Sequence, residues 1–156
     1  MPVAKLKEFL DANGVRYVTI SHSRAYTANE VAASAHVSGK SMAKTVMLKV
    51  DGRIAMAVLP AAFRVSFDLL RGAIGAREVV LAGEAEFREL FPECEIGAMP
   101  PFGNLYGLPV YVADILGENE EIAFNAGSHT EVIRLAYADF NRLVNPRVLS
   151  FALQPA

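Results

Sequence analysis

Lys44-Thr-Val-Met-Leu-Lys-Val-Asp-Gly-Arg-Ile-Ala-Met-Ala-Val-Leu-Pro60 decides the fold of this chain. Two apolar runs flank Asp51-Gly52, the dipeptide that most strongly signals a two-residue β-hairpin turn. Pro60, which has no N–H to give to a ladder, closes the second strand. Side chains alternate across a strand, so Lys44 shares a face with Val46, Leu48 and Val50. A lysine at the start of an apolar face has two readings. Its stem packs while the amine reaches water, or the amine serves a site.

Working outward, residues 3–13 read as an amphipathic helix, with Val3, Leu6, Phe9 and Leu10 on one face and Asn13-Gly14 as its stop. Val15–Ser21 reads as a strand. Thr27-Ala-Asn-Glu30 is a capping box opening a short alanine-rich helix that ends at Ala35. Beyond the hairpin, helices are expected over Ser66–Ile74, Glu84–Leu90 and Tyr137–Leu143. Strands are expected over Glu78–Leu81, Pro109–Asp114, Glu121–Asn125 and Thr130–Leu135. The last ten residues, with Pro146 and Pro155, read as a partly ordered tail. The sum is a mixed α+β domain spanning 1–156. Its sheet is expected to be curled and largely antiparallel, six- to seven-stranded or a partial barrel, with flanking helices.

Composition bounds the function. Apolar residues make up 53% of the chain and charged ones 21%, so a packed core is expected and disorder is not. A net charge of −2 argues against gripping a long nucleic acid by its backbone, so any such contact is expected to be local, as at one strand end. The single Cys94 excludes an internal disulfide and a multi-cysteine zinc site, and agrees with a cytoplasmic location. His22, His36 and His129 lack metal-ligand spacing, so no metal is expected. No run approaches about 18 apolar residues, so no membrane partner is expected either.

Glu95-Ile-Gly-Ala-Met-Pro-Pro-Phe-Gly-Asn-Leu-Tyr-Gly107 carries three glycines and two prolines in thirteen residues, yet is apolar enough to pack. It is either a buried structural turn or a backbone cradle whose freed N–H groups suit an anion or a developing oxyanion. Ala126-Gly-Ser-His129 is a tight corner between two strands. A curled sheet could join Lys44, this loop and that corner into one cation, amide, hydroxyl and imidazole site. Cys94 beside the loop is either an inert packed residue or a nucleophile for His129.

Lys44-Thr45 at a strand start, Gly97-Ala-Met-Pro-Pro101-Phe-Gly103, Ala126-Gly-Ser-His129 and the Thr27-Ala-x-Glu-Val-Ala helix start together resemble the YbaK / prolyl-tRNA-synthetase-associated editing domain family, over about residues 3–145. The resemblance implies a deacylase acting in trans on mischarged tRNA, cleaving a small amino acid of alanine or cysteine type from proline tRNA. It implies no cofactor, the tRNA acceptor end as partner, and prolyl-tRNA synthetase as a candidate partner. Lys44 matches the family's essential lysine, Gly97 the loop that holds the aminoacyl group, and His129 the histidine of the alanine-editing branch. Thr27, Thr45, Ala98, Pro101, Gly103 and Ser128 match substrate-binding positions. The chemistry implied is backbone oxyanion stabilisation assisted by the terminal ribose hydroxyl. The alternative is a non-catalytic module that binds a tRNA end or a nucleotide beside a synthetase.

Overall fold

The computed structural model describes residues 3–25, 27–35 and 37–154, and counts below refer to these. His36 and Pro155 lie outside them. Five α-helices are present: α1 (Ala4–Ala12), α2 (Ala28–Ser34), α3 (Phe67–Ile74), α4 (Glu84–Phe87) and α5 (Tyr137–Val144). The strands are β1 (Tyr17–Ser21), β2 (Met42–Val50), β3 (Arg53–Pro60), β4 (Arg64–Val65), β5 (Val79–Leu81), β6 (Val110–Ala113), β7 (Glu121–Asn125), β8 (Glu131–Ala136), β9 (Arg147–Leu149) and β10 (Ala152–Leu153).

The hairpin forms as its sequence dictates. Asp51 (φ 49°) and Gly52 (φ 83°) both take the left-handed conformation that a two-residue turn needs to match strand twist. The Asp51 carboxylate also accepts the Arg77 and Glu78 N–H groups at 2.9 Å each, tying the hairpin tip to the start of β5. Helix α2 begins with the expected box: the Thr27 hydroxyl accepts from Glu30 N–H at 3.1 Å, and the Glu30 carboxylate accepts from Thr27 N–H at 3.0 Å.

The sheet is mixed α+β in character but larger than expected. Seven strands run in the order β1-β8-β7-β2-β3-β6-β9, and β5 adds to β2, giving eight strands in an open sheet rather than six or seven. Three pairings, β2–β7, β3–β6 and β6–β9, are parallel. The tail is the chief correction. Residues read as partly ordered form β9 on the sheet edge and β10 paired with β4, pinned by Phe151, which is fully buried. The expected helix over Glu84–Leu90 is a single α-turn run followed by a 3-10 segment, Arg88–Leu90.

The outer edge of β2 positions the site. That edge is shared by β7, whose ladder ends at Ala43–Phe124, and β5, whose ladder begins at Leu48–Leu81. Among the described residues no strand covers those between. Lys44 pairs with Leu59 of β3, and odd-numbered β2 residues turn their peptide groups the other way, as Ala82 N–H to Met47 C=O (3.0 Å) and Asp51 N–H to Glu78 C=O (2.9 Å) confirm. Thr45 therefore turns both its N–H and its C=O into a gap in the sheet.

Candidate functional site

The glycine-proline loop is anchored by Phe102, fully buried, whose ring packs against Phe124 at 5.4 Å, Phe140 at 5.7 Å and Phe9 at 6.2 Å. Its first half is sewn to the corner after β7. Glu95 N–H donates to Gly127 C=O at 2.8 Å, and Gly127 N–H to Ala98 C=O at 2.9 Å. Gly127 has φ +101° and its α-carbon faces Val3, so neither the dihedral nor the space admits a side chain. His129, 6% exposed, sits in this seam. Its Nε2 lies 2.9 Å from the Ile96 C=O; an N–H is required there, because a carbonyl only accepts. The ring edge also faces the α-carbon of Gly97, φ +89°.

Among the described residues Gly97 N–H meets the Met99 thioether sulfur alone, at 3.3 Å. Sulfur is a weak acceptor, so this donor is held in place yet easily surrendered to an oxygen. Ala98 N–H, by contrast, is occupied by Glu95 C=O at 3.0 Å, and Pro100 and Pro101 have no N–H at all. The cradle is thus narrower than the loop's glycine content suggests. Gly97 and Thr45 face a common recess of about 240 Å³, walled also by Met47, Leu81, Phe87 and Met99.

Other expected site residues lie elsewhere. Lys44 shares its β2 face with Met42 and Leu48, opposite Thr45 and Met47, and does not line the recess. Its Nζ reaches the Ala61 C=O at 3.3 Å. Among the described residues no carboxylate lies within ion-pair distance, and partial burial lowers its pKa from the ordinary 10.5. Ser128 Oγ lies 3.3 Å from Thr130 Oγ1, within the corner. Thr27 is committed to capping α2. Gly103 and Pro101 are buried, Gly103 close against Val110 and Met56. Ala98, fully buried, contributes its carbonyl to the seam.

Two side chains were not singled out in the sequence: Glu95 joins this centre, and Asn125 lies beside Lys44. Glu95 bridges Arg24 (2.8 Å) and the His129 N–H (3.2 Å), bracing the corner from outside. Asn125 ends β7 at the level of Lys44, and its buried Oδ1 has no hydrogen bond among the described residues. The signal for it was a lone polar residue closing the apolar run Ile122-Ala-Phe124.

Cys94 is paired with a phenol rather than with the imidazole. Its Sγ lies 3.8 Å from the Tyr106 hydroxyl, and burial pushes the thiol pKa up, away from thiolate. Cys94→Ser is expected to keep turnover within about twofold of the parent in a deacylation assay, since a raised thiol is no nucleophile. Among the described residues no three of His, Cys, Asp and Glu are grouped as metal ligands.

Comparison with known proteins adds to this geometry. The aminoacyl-tRNA editing domain family matches residues 22–143. The Multifunctional Ser/Thr-tRNA deacylase ProXp-y of Escherichia coli K12 is 30% identical over 155 residues, covering 94% of this chain and 90% of the relative. The crystal structure of hypothetical protein APE2540 superposes with a TM-score of 0.85 at 20% identity, covering 96% of this chain and 99% of that one. A protein described as a candidate trans-editing enzyme for prolyl tRNA synthetase superposes at 0.80 and 19% identity, over 97% and 96%. The family match over residues 22–143 and the 30% identical relative covering 94% of the chain make this chain a member of the aminoacyl-tRNA editing domain family.

Proposed function

We propose that this protein is an aminoacyl-tRNA deacylase acting in trans, removing a small mischarged amino acid from the tRNA 3′ end. The observation that carries the reading is the seam of Gly97, Gly127 and His129, which sets a replaceable amide donor beside a buried imidazole. Full-length likeness to a Ser/Thr-tRNA deacylase supports it.

An aminoacyl ester is already activated, so the protein needs to orient it and stabilise charge. Water attacks the ester carbonyl carbon, the C–O bond to the ribose breaks, and the proton passes to the departing ribose oxygen. Gly97 N–H faces the oxyanion of the tetrahedral intermediate; one such donor is typically worth about 2.7–4 kcal/mol. The vicinal ribose hydroxyl orients the water. The imidazole of His129 walls the aminoacyl pocket, and the Asn125 side-chain Oδ1 accepts from the substrate ammonium group. The Lys44 ammonium, hydrogen-bonded among the described residues to the Ala61 carbonyl, is the cation offered to a substrate phosphate or the ester oxygen. Steric exclusion sets the amino acid, because a methylene-scale difference in affinity gives only about 1–3 kcal/mol.

Serine and threonine are the first candidate amino acids, given the relative; alanine and cysteine on proline tRNA follow from the resemblance in the sequence, as does a prolyl-tRNA synthetase partner. The test is a panel of tRNAs mischarged with Ser, Thr, Ala and Cys, with and without EDTA. Hydrolysis of at least one, unchanged by chelator, is expected. Inertness toward all four would favour the binding-module alternative, and loss in EDTA would demand a metal.

A further inference from the structure

The recess beside β2 has more hydrogen-bonding order than an apolar pocket requires. Thr45 N–H, Thr45 C=O and Met47 N–H point in sequence into the gap between β7 and β5. Met47 C=O is occupied by Ala82 N–H, and the neighbouring ladders stop at Ala43 and begin at Leu48. None of the three has a partner among the described residues. An uncovered strand edge of this kind would normally invite another strand. Here the loop residue Gly97 and the side chains of Leu81, Phe87 and Met99 line a recess of about 240 Å³ beside it, open to solvent on one side.

We propose that this recess seats the terminal adenine base of the substrate, read by the unpaired peptide edge of Thr45–Met47. A carbonyl and an N–H two residues apart on one strand edge present an acceptor beside a donor. Adenine presents the complement: its N6 amino group donates to Thr45 C=O, and its N1 accepts from Met47 N–H. The flat faces of the base lie against the Met47, Met99 and Phe87 side chains, soft and aromatic surfaces on which a purine stacks favourably. Every tRNA ends in adenosine, so a reader of this base positions the 3′ ester without regard to tRNA identity. Gly97 is common to the recess wall and the His129 seam, so the base and the scissile ester are placed on either side of one residue. The inference rests on the deacylase reading and adds where the nucleotide is held.

The experiment uses microhelix substrates of one amino acid whose terminal base is adenine, purine (no N6 amino group), 1-deazaadenine or 7-deazaadenine, alongside adenosine 5′-monophosphate titrated into ¹⁵N-labelled protein. Loss of one hydrogen bond is worth about 0.5–1.5 kcal/mol. The purine and 1-deaza ends should therefore lose roughly 3- to 10-fold in kcat/KM, with 7-deazaadenine unchanged and the Thr45 and Met47 amides shifted by the nucleotide. Equal rates for all four bases, or nucleotide shifts confined to other surfaces, overturn the assignment while leaving deacylation intact. Nucleotide binding at Thr45 with no deacylation of any substrate would instead sink the enzymatic reading and leave an adenine-binding recess.

Discussion

Lys44→Met should abolish most deacylation, at least about 100-fold in kcat/KM if the ammonium acts as an electrostatic group at the reacting ester, while the melting temperature holds or rises. The two halves of this expectation share one cause. Lys44 is partly buried, and its one hydrogen bond among the described residues, 3.3 Å to the Ala61 carbonyl, brings no opposite charge. Burial lowers its pKa below that of the unfolded chain, so the native state binds the proton less tightly. Stability then increases as pH climbs from the folded pKa toward the unfolded one, and protonation at neutral pH works against the fold. Methionine keeps the stem and discards the charge, removing that cost along with the function. The activity of the parent should also decline on the alkaline side before the ordinary lysine value of 10.5 is reached. Thermal melts and a pH-rate profile read both effects. Unchanged turnover in Lys44→Met would take the residue out of the mechanism and leave its side chain a packing element.

Gly97→Ala should lower kcat by about 10²–10³, the range for loss of one oxyanion donor, with a smaller effect on KM. At φ +89° a β-carbon costs roughly 1–2 kcal/mol, so the loop relaxes away from its present path. The new methyl also stands about 3.5 Å from His129 Cε1, so relaxation moves the imidazole and the amide together. The rest of the loop stays anchored by Phe102 and by the Glu95–Gly127 and Gly127–Ala98 bonds, which keeps the defect local. Full activity in this variant would show that the Gly97 amide is not a donor to the transition state.

What the sequence revealed and what it hid divide along the range of the interactions. The Asp51-Gly52 turn and the Thr27–Glu30 box are decided within four residues, so residue type alone specifies them. The C-terminal strands were hidden because β9 and β10 are only three and two residues long, too short for a period, and owe their order to partners far back in the chain. The candidate site splits the same way. Gly97, Gly127 and His129 stood out as loop and corner chemistry, and the fold does bring them together. The peptide edge of Thr45 did not, because it exists only where two distant strands fail to meet along β2. Lys44 was legible as a lysine on an apolar face, but the direction of its side chain depends on the Ala61 carbonyl beyond the hairpin. Glu95 was read as part of a backbone loop, and its carboxylate instead braces Arg24 and His129.

The most direct test uses a terminal adenosine carrying serine through a non-hydrolysable amide in place of the ester, titrated into ¹⁵N-labelled protein. The amides of Thr45, Gly97, Ala98 and His129 should shift together and saturate with one affinity. Shifts that gather instead around the separate recess of Lys40, Phe63, Asn119 and Gln154, with Gly97 and His129 silent, would contradict the account.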